Sequence, residues 1–248
     1  MAILWSKHIK ETHYEVRSAG ATIRLYSNGV LHSQFNPNHP ISGAIWDLLL
    51  LPGFCADQSP KNILVLGLGG GTLVHLIRQF FPAAHITCVE IDKTHIQIAK
   101  RWFKIPQKHI SLIEGDAYDY LRSSKDVFDW IVDDVFQHVT GDPERGYPLD
   151  EAQMLYEKSL TTKGILSLNV IGRKQLLQTQ KLLTMSAFHE GLQFSHPLYD
   201  NRIVCLLPKS EASKSLQTKT IKGRFNEHKM LDQSRKTCRL KYKMQWLK

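Results

Sequence analysis

The stretch ILVLGLGGGTLVHLI, residues 63–77, decides the reading of this sequence. An apolar run of strand character ends at Gly67, passes through Gly69, Gly70 and Gly71, and resumes with helical spacing at Leu73, Leu76 and Ile77. Glycines at a strand-to-helix junction let the backbone turn sharply and let a ligand approach where a Cβ would collide. The helix start beyond them offers N–H groups that have no partner within the helix. Such loops also serve tight strand–helix packing, so the neighbouring segments must separate the two readings.

Glu90 stands 23 residues after Gly67, at the end of the next apolar run in CVEID, where a carboxylate can accept from both hydroxyls of a ribose. Asp92 fits the cap of the helix that begins near Lys93. Asp116, followed by Ala117 in IEGDAYDYL, and the pair Asp133–Asp134 in WIVDDVF end the following two runs. Ligands of open parallel sheets bind outside the carboxyl ends of the strands, so four successive strand ends direct polar groups at one crevice. Because strand side chains alternate, Asp133 and Asp134 must point to opposite sides. Thr72–Leu73 after the glycines is not the Lys-Ser or Lys-Thr pair of a P-loop, which disfavours ATP and GTP. Thr72 also replaces the third glycine of a nicotinamide fingerprint, which leaves Asp116 and Asp134 unexplained.

Outward from this loop the pattern alternates strand and helix, as expected for an α/β sheet covered on both faces. Strands are predicted at about 63–67, 86–91, 109–114, 127–133 and 164–170, and helices at about 72–81, 93–103, 117–122, 148–160 and 173–190. LQFSHPLY and RIVCLLP then close the domain as an antiparallel pair. Before the loop, residues 14–36 set two alternating runs around Asn28-Gly29, a hairpin signal, and Trp46–Leu51 reads as a short apolar helix. The expected organisation is an N-terminal β-hairpin subdomain over 1–51, a Rossmann-like catalytic domain over 62–208 and a tail over 209–248.

The chain has 248 residues, 42% of them hydrophobic, enough for one well-buried core. Its net charge of +9 is confined to the tail, where twelve Lys or Arg face three acids and the remaining 208 residues balance. A solvated tail, or a strand that pairs with the body, is favoured over nucleic-acid binding, although these cations suit phosphates and Tyr242 and Trp246 could stack on bases. In CRLKYKMQW, period two would set the basic residues on one strand face. No segment approaches the roughly 18 apolar residues of a membrane span, so no membrane partner and a cytoplasmic location are expected. Cys55, Cys88, Cys205 and Cys238 lie far apart without metal-ligand spacing; no metal is expected, and Cys88 and Cys205 read as buried thiols.

Together, ILVLGLGGGTL, VEID, IEGDAYDYL, FDWIVDDVF and KGILSLNV resemble the class I S-adenosylmethionine-dependent methyltransferase superfamily, and more closely its spermidine synthase-like branch. IRLYSNGVLHS is similar to the small β domain that precedes the catalytic domain there. The resemblance implies a mostly parallel sheet with an antiparallel last strand, a donor of S-adenosylmethionine or its decarboxylated form, and a homodimer as the oligomer. It also implies that Gly67, Gly69, Gly70 and Gly71 pass under the donor's tail, that Glu90 holds the ribose, and that Asp116 and Ala117 flank the adenine. Asp134 would be the catalytic residue, accepting a proton from an attacking amine with His138 as a candidate helper; Tyr147 and Asp150 would line the acceptor side unless Asp150 only starts the next helix.

The chain departs from that branch at several places: Gly70 replaces an Asp of the loop, Gln137 aligns with a second Asp, and Ala44 and Trp46 stand near a Tyr and Glu of the amine pocket. A doubly charged diamine is poorly held by a pocket stripped of carboxylates. Methyl transfer to a small-molecule or protein acceptor is therefore the expectation. Aminopropyl transfer in polyamine biosynthesis and a noncatalytic binding module are the alternatives.

Overall fold

The computed structural model describes residues 1–56, 58–139, 142–185, 188–208 and 242–247. Its first layer is an antiparallel meander of β1 (Ala2–Ile9), β2 (Thr12–Ala19), β3 (Thr22–Ser27) and β4 (Val30–Phe35), in that order. Asn28, at φ 48°, and Gly29, at φ 79°, make the predicted hairpin turn between β3 and β4. The meander exceeds the expected hairpin because β1 is an edge strand exposed along most of its length, and such a strand carries little apolar alternation to detect.

The second unit is an eight-stranded sheet. In chain order its parts are α1 (Ile45–Leu50), β5 (Asn62–Leu66), α2 (Thr72–Phe80), β6 (His85–Glu90), α3 (Lys93–Arg101), β7 (Ile110–Glu114), α4 (Ala117–Ser123) and β8 (Phe128–Asp133). A short ribbon of β9 (Gln137–Val139) and β10 (Asp142–Glu144) follows, then α5 (Leu149–Ser159), β11 (Leu160–Ile171), α6 (Gly172–Met185), β12 (Phe188–Ser195), β13 (Asn201–Pro208) and β14 (Lys243–Trp246).

The spatial order is β14-β12-β13-β11-β8-β5-β6-β7. Strands β7, β6, β5, β8 and β11 pair in parallel, and β13 runs antiparallel between β11 and β12. The chain moves outward from β5 to β7 and returns to β8, so the order reverses at β5/β8, where an open sheet leaves a crevice. Two differences from the predicted elements lie at the far edge. The helix predicted to reach residue 190 ends at Met185, and strand pairing of β12 with β13 begins at Phe188. The tail contributes β14, whose Met244 pairs with Phe194 and packs on the core while Lys243 and Gln245 face solvent. The rest of the basic tail, with Cys238, lies outside the described residues.

Burial explains the sheet's apolar runs. Ile63, Val65, Cys88, Trp130 and Val132 face α1, α2 and α3, while Leu64, Leu66, Val89 and Ile131 face α4 and α5. On α2 the stripe Leu73, Leu76, Ile77 and Phe80 is buried, which at about 25 cal/mol per Å² of apolar surface makes this helix a main contributor to the core. Helix α1 packs into this same core through Leu48, Leu49 and Leu50. The meander is docked by a separate cluster in which Tyr14, Val16 and Leu25 meet Ile98 and Phe103. Cys55, Cys88 and Cys205 are all buried thiols. Among the described residues, no helix is long and apolar enough to cross a membrane.

Candidate functional site

A polar-lined cavity of about 580 Å³ opens at the β5/β8 reversal. Its floor is the glycine loop. Gly67, Gly69 and Gly71 have φ of 88°, 52° and 86°, a region that favours glycine. A Cβ at Gly67 would lie 2.7 Å from the Asp134 carbonyl oxygen, so the loop passes directly against the end of β8. Gly67 and Gly69 line the cavity; Gly70 and Gly71 do not. The Gly70 N–H donates to Ser33 Oγ at 2.6 Å, and a Cβ there would stand 2.6 Å from the Phe103 ring. Gly71 starts α2 with a Cβ position only 2.2 Å from Ile105. These last two glycines are thus required by packing against the meander and the segment after α3.

Glu90 is 8% exposed and fastens the loop. Its Oε2 accepts from Leu68 N at 2.9 Å and Gly69 N at 3.0 Å, and its Oε1 accepts from Asp92 N at 2.9 Å. Burial pushes this carboxyl up, but His95 beside it and the donated N–H groups outweigh burial and hold it below the usual range. Asp92 caps α3 through Thr94 N and His95 N, as expected, and its Oδ2 accepts from Tyr14 OH at 2.7 Å. Asp116 caps α4 with one oxygen, Oδ1, which accepts from Tyr118 N and Asp119 N. Asp116 and the buried Ala117 both line the cavity.

At the end of β8 the two aspartates divide as alternation requires. Asp133 is fully buried behind the sheet, paired with Arg145 at 2.8 Å and accepting from the hydroxyls of Tyr118 and Tyr156. Asp134 lines the cavity and its Oδ1 accepts from Asn169 Nδ2 at 2.7 Å. Burial pushes the Asp134 carboxyl up to about 7 against the lowering effect of Asn169 and Arg145, with Asp133 and Glu90 adding to the rise.

The remaining walls come from other parts of the chain. His32 and Gln34 from β4 and the first turn of α2 close one side. Position 34 is tied down because Gln34 N donates to Thr72 Oγ1 at 3.1 Å and Gln34 O accepts from the same hydroxyl. Trp46, Phe136, Ile171 and Tyr199 add an apolar, aromatic lining, accompanied by the amides of Asn169 and Asn201. Asn169 was detectable in principle as a lone amide inside the apolar run ILSLNV. Tyr147 does not line the cavity; it stacks on Tyr118 at 4.4 Å and accepts from Arg122. Asp150 is exposed in the first turn of α5. The side chains of Gln137 and His138 lie outside the described residues. No metal-ligating group of three or more acidic, His or Cys side chains occurs among the described residues.

With this geometry in hand, the chain can be set beside known proteins. It is 29% identical to the polyamine aminopropyltransferase of Vibrio vulnificus over 163 residues, which covers 63% of this chain and 53% of that one. It is 27% identical over 133 residues to an eEF1A lysine and N-terminal methyltransferase homolog of Drosophila pseudoobscura, covering 50% of this chain and 20% of that one. The chain therefore spans about half the length of the first relative and a fifth of the second. Among solved structures, human methyltransferase-like protein 13 in complex with SAH superposes with a TM-score of 0.56 at 25% identity, covering 72% of this chain and 85% of that one. The model of the spermine/spermidine synthase domain matches residues 47–208, which run from α1 through the glycine loop and the Asp134 strand end to β13. The chain belongs to the spermine/spermidine synthase domain family, whose enzymes transfer a methyl or aminopropyl group from an adenosyl donor.

Proposed function

We propose that this chain is an S-adenosylmethionine-dependent methyltransferase that acts on an amine acceptor. One observation carries the choice of donor. The loop position where a carboxylate would hold the terminal amine of a decarboxylated donor is Gly70, and Phe103 and Ser33 fill the space a side chain would need. Asp92, the next acid along the chain, already accepts the Thr94 and His95 N–H groups and the Tyr14 hydroxyl. A donor ending in a bare ammonium finds little uncommitted negative charge there. The methionine end of S-adenosylmethionine carries a carboxylate as well, which suits the positive end of α2. The SAH complex of the human relative supports a donor of the same nucleoside class.

The cavity's lining supports this reading, in which Glu90 would hold the ribose, Asp116 and Ala117 the adenine, and the uncovered backbone of Gly67 and Gly69 would lie under the tail. When bound, the donor supplies a methyl group on a positively charged sulfur, activated for displacement, so the protein's work is mainly positioning. Asp134 takes the proton that the amine sheds. With its carboxyl pushed up to about 7, Asp134 is increasingly ionised as pH rises through neutrality, so the rate should rise over the same range. Trp46, Phe136 and Tyr199 suit an amine on a single apolar stem, such as a lysine side chain, better than a diamine. An eEF1A lysine methyltransferase homolog among the relatives supports that acceptor class.

Calorimetry with S-adenosylmethionine and its decarboxylated form tests the reading. S-adenosylmethionine is expected to bind at least about tenfold tighter, a difference of about 1.4 kcal/mol. Tighter binding of the decarboxylated form would overturn the proposal in favour of aminopropyl transfer, and binding of neither would leave a noncatalytic module.

A further inference from the structure

Asp134 does not stand alone. Asn169 Nδ2 donates to Asp134 Oδ1 at 2.7 Å, and Asn201 Nδ2 donates to Asn169 Oδ1 at 3.0 Å. Asn169 is only 4% exposed, and its backbone carbonyl accepts from the Arg145 guanidinium at 2.8 Å. The two amides belong to neighbouring antiparallel strands, where Ile171 pairs with Asn201 and Asn169 with Ile203. That register places Asn169 diagonally from Asn201 at the same end of the sheet. A primary amide can present either its oxygen or its nitrogen to a partner. A donor from Asn201 on the Asn169 oxygen settles that choice and leaves the nitrogen facing the carboxylate.

We propose that Asn201 and Asn169 form a positioning relay that holds Asp134 as a hydrogen-bond acceptor aimed into the cavity, ready for the acceptor's proton. The proposal rests on the transferase reading for its purpose, although the relay itself can be tested without any substrate. Its chemical logic is a counterweight. Asp134 is half-buried and faces two like charges, Asp133 beside it on β8 and Glu90 on β6, with Arg145 as the opposing cation. Burial and the two carboxylates favour a protonated Asp134, which could not receive a proton. A donor locked on Oδ1 stabilises the ionised form and fixes the oxygen that receives it. A second consequence follows from the chain path. Asn201 opens β13 two residues after Tyr199, so the relay joins the base to the strand that carries one wall of the acceptor end.

The test is a carboxyl-carbon NMR titration of the full chain labelled at aspartate, with the Asp134 signal identified by its loss in Asp134→Asn. Asn169→Ala should move the Asp134 midpoint upward by about one pH unit or more, the size expected for a lost charged hydrogen bond. Asn201→Ala, which leaves Asn169 in place and is less buried, should move it in the same direction by less. Asn169→Gln, which keeps an amide but misplaces it, should not restore the wild-type midpoint. An Asp134 midpoint unchanged in both alanine variants, with folded spectra, would overturn the relay. Where the acceptor is known, the acid limb of the pH–rate profile should shift upward in parallel, a change that mere loss of stability would not produce. Failure of the wild-type chain to bind any adenosyl donor would sink the transferase reading and leave the titration result standing on its own.

Discussion

Replacing Glu90 by glutamine keeps the shape of the side chain and removes the charge on which the glycine loop converges. In the wild-type chain the two carboxylate oxygens accept three backbone N–H groups, from Leu68 and Gly69 on one oxygen and from Asp92 on the other. A glutamine can offer its single oxygen to one of these sets, and its NH2 then faces a backbone donor. One or two charged hydrogen bonds are lost, at about 1.5–3 kcal/mol each, so a net destabilisation of about 2–4 kcal/mol is expected after partial relaxation. For a chain of this size that corresponds to a fall in Tm of roughly 5–15 °C. The pH dependence supplies a second check. Glu90 titrates below its ordinary 4.5 in the folded chain, so its contribution is fully present above that value and is lost as pH falls through the lower folded-state midpoint. The gap in Tm between wild type and Glu90→Gln should therefore be full at pH 7 and shrink below about pH 4.5, as the wild-type group becomes neutral too. Thermal melts across that range decide it. A gap under about 1 °C at pH 7, where roughly 2–4 °C per kcal/mol is expected, would refute the view that this carboxylate fastens the loop.

Substitutions at two further sites probe buried charge. Arg145→Met leaves Asp133 buried with only the Tyr118 and Tyr156 hydroxyls and one backbone N–H, and should cost about 3–5 kcal/mol in urea denaturation. Adding Asp133→Asn should recover a good part of that loss; no recovery would show that the pair acts through something other than charge. Asp47 is completely buried, accepts from Ser42 N and Gly43 N, and is pushed up to about 7 by burial against those donors. A folded-state value above the ordinary 3.8 means its stabilising protonation is present at low pH and lost as pH rises through about 7. Asp47→Asn should therefore remove on the order of 4 kcal/mol of the wild type's decline in stability between pH 4 and pH 8, read as a flatter denaturation midpoint across that range.

The glycine loop, the acids at successive strand ends and the alternation of strand and helix were legible along the chain because each is a local pattern. A β5 buried on both faces must be continuously apolar, and a backbone that turns at φ of 52° to 88° favours glycine at those points. Alternation alone required Asp133 and Asp134 to separate, and the structure sends one to Arg145 and the other to the cavity. Local pattern could not tell which glycines meet a ligand. Gly70 and Gly71 look the same as Gly67 in sequence, yet Phe103, Ser33 and Ile105 occupy their surroundings because the meander and the segment after α3 fold back over the loop. Nor could it reveal that Glu90 accepts from the loop's own amides, that Tyr147 stacks on Tyr118, or that Asn169 and Asn201 meet. These contacts join residues from about 20 to 40 positions apart or more, and only strand order and register bring them within hydrogen-bond reach. Sequence thus determined the sheet and the crevice at its strand ends, through periodicities of two and of 3.6 residues. Tertiary packing decided which side chains line that crevice and which turn into the protein, because strand order and register bring buried polar groups to the partners that hold them.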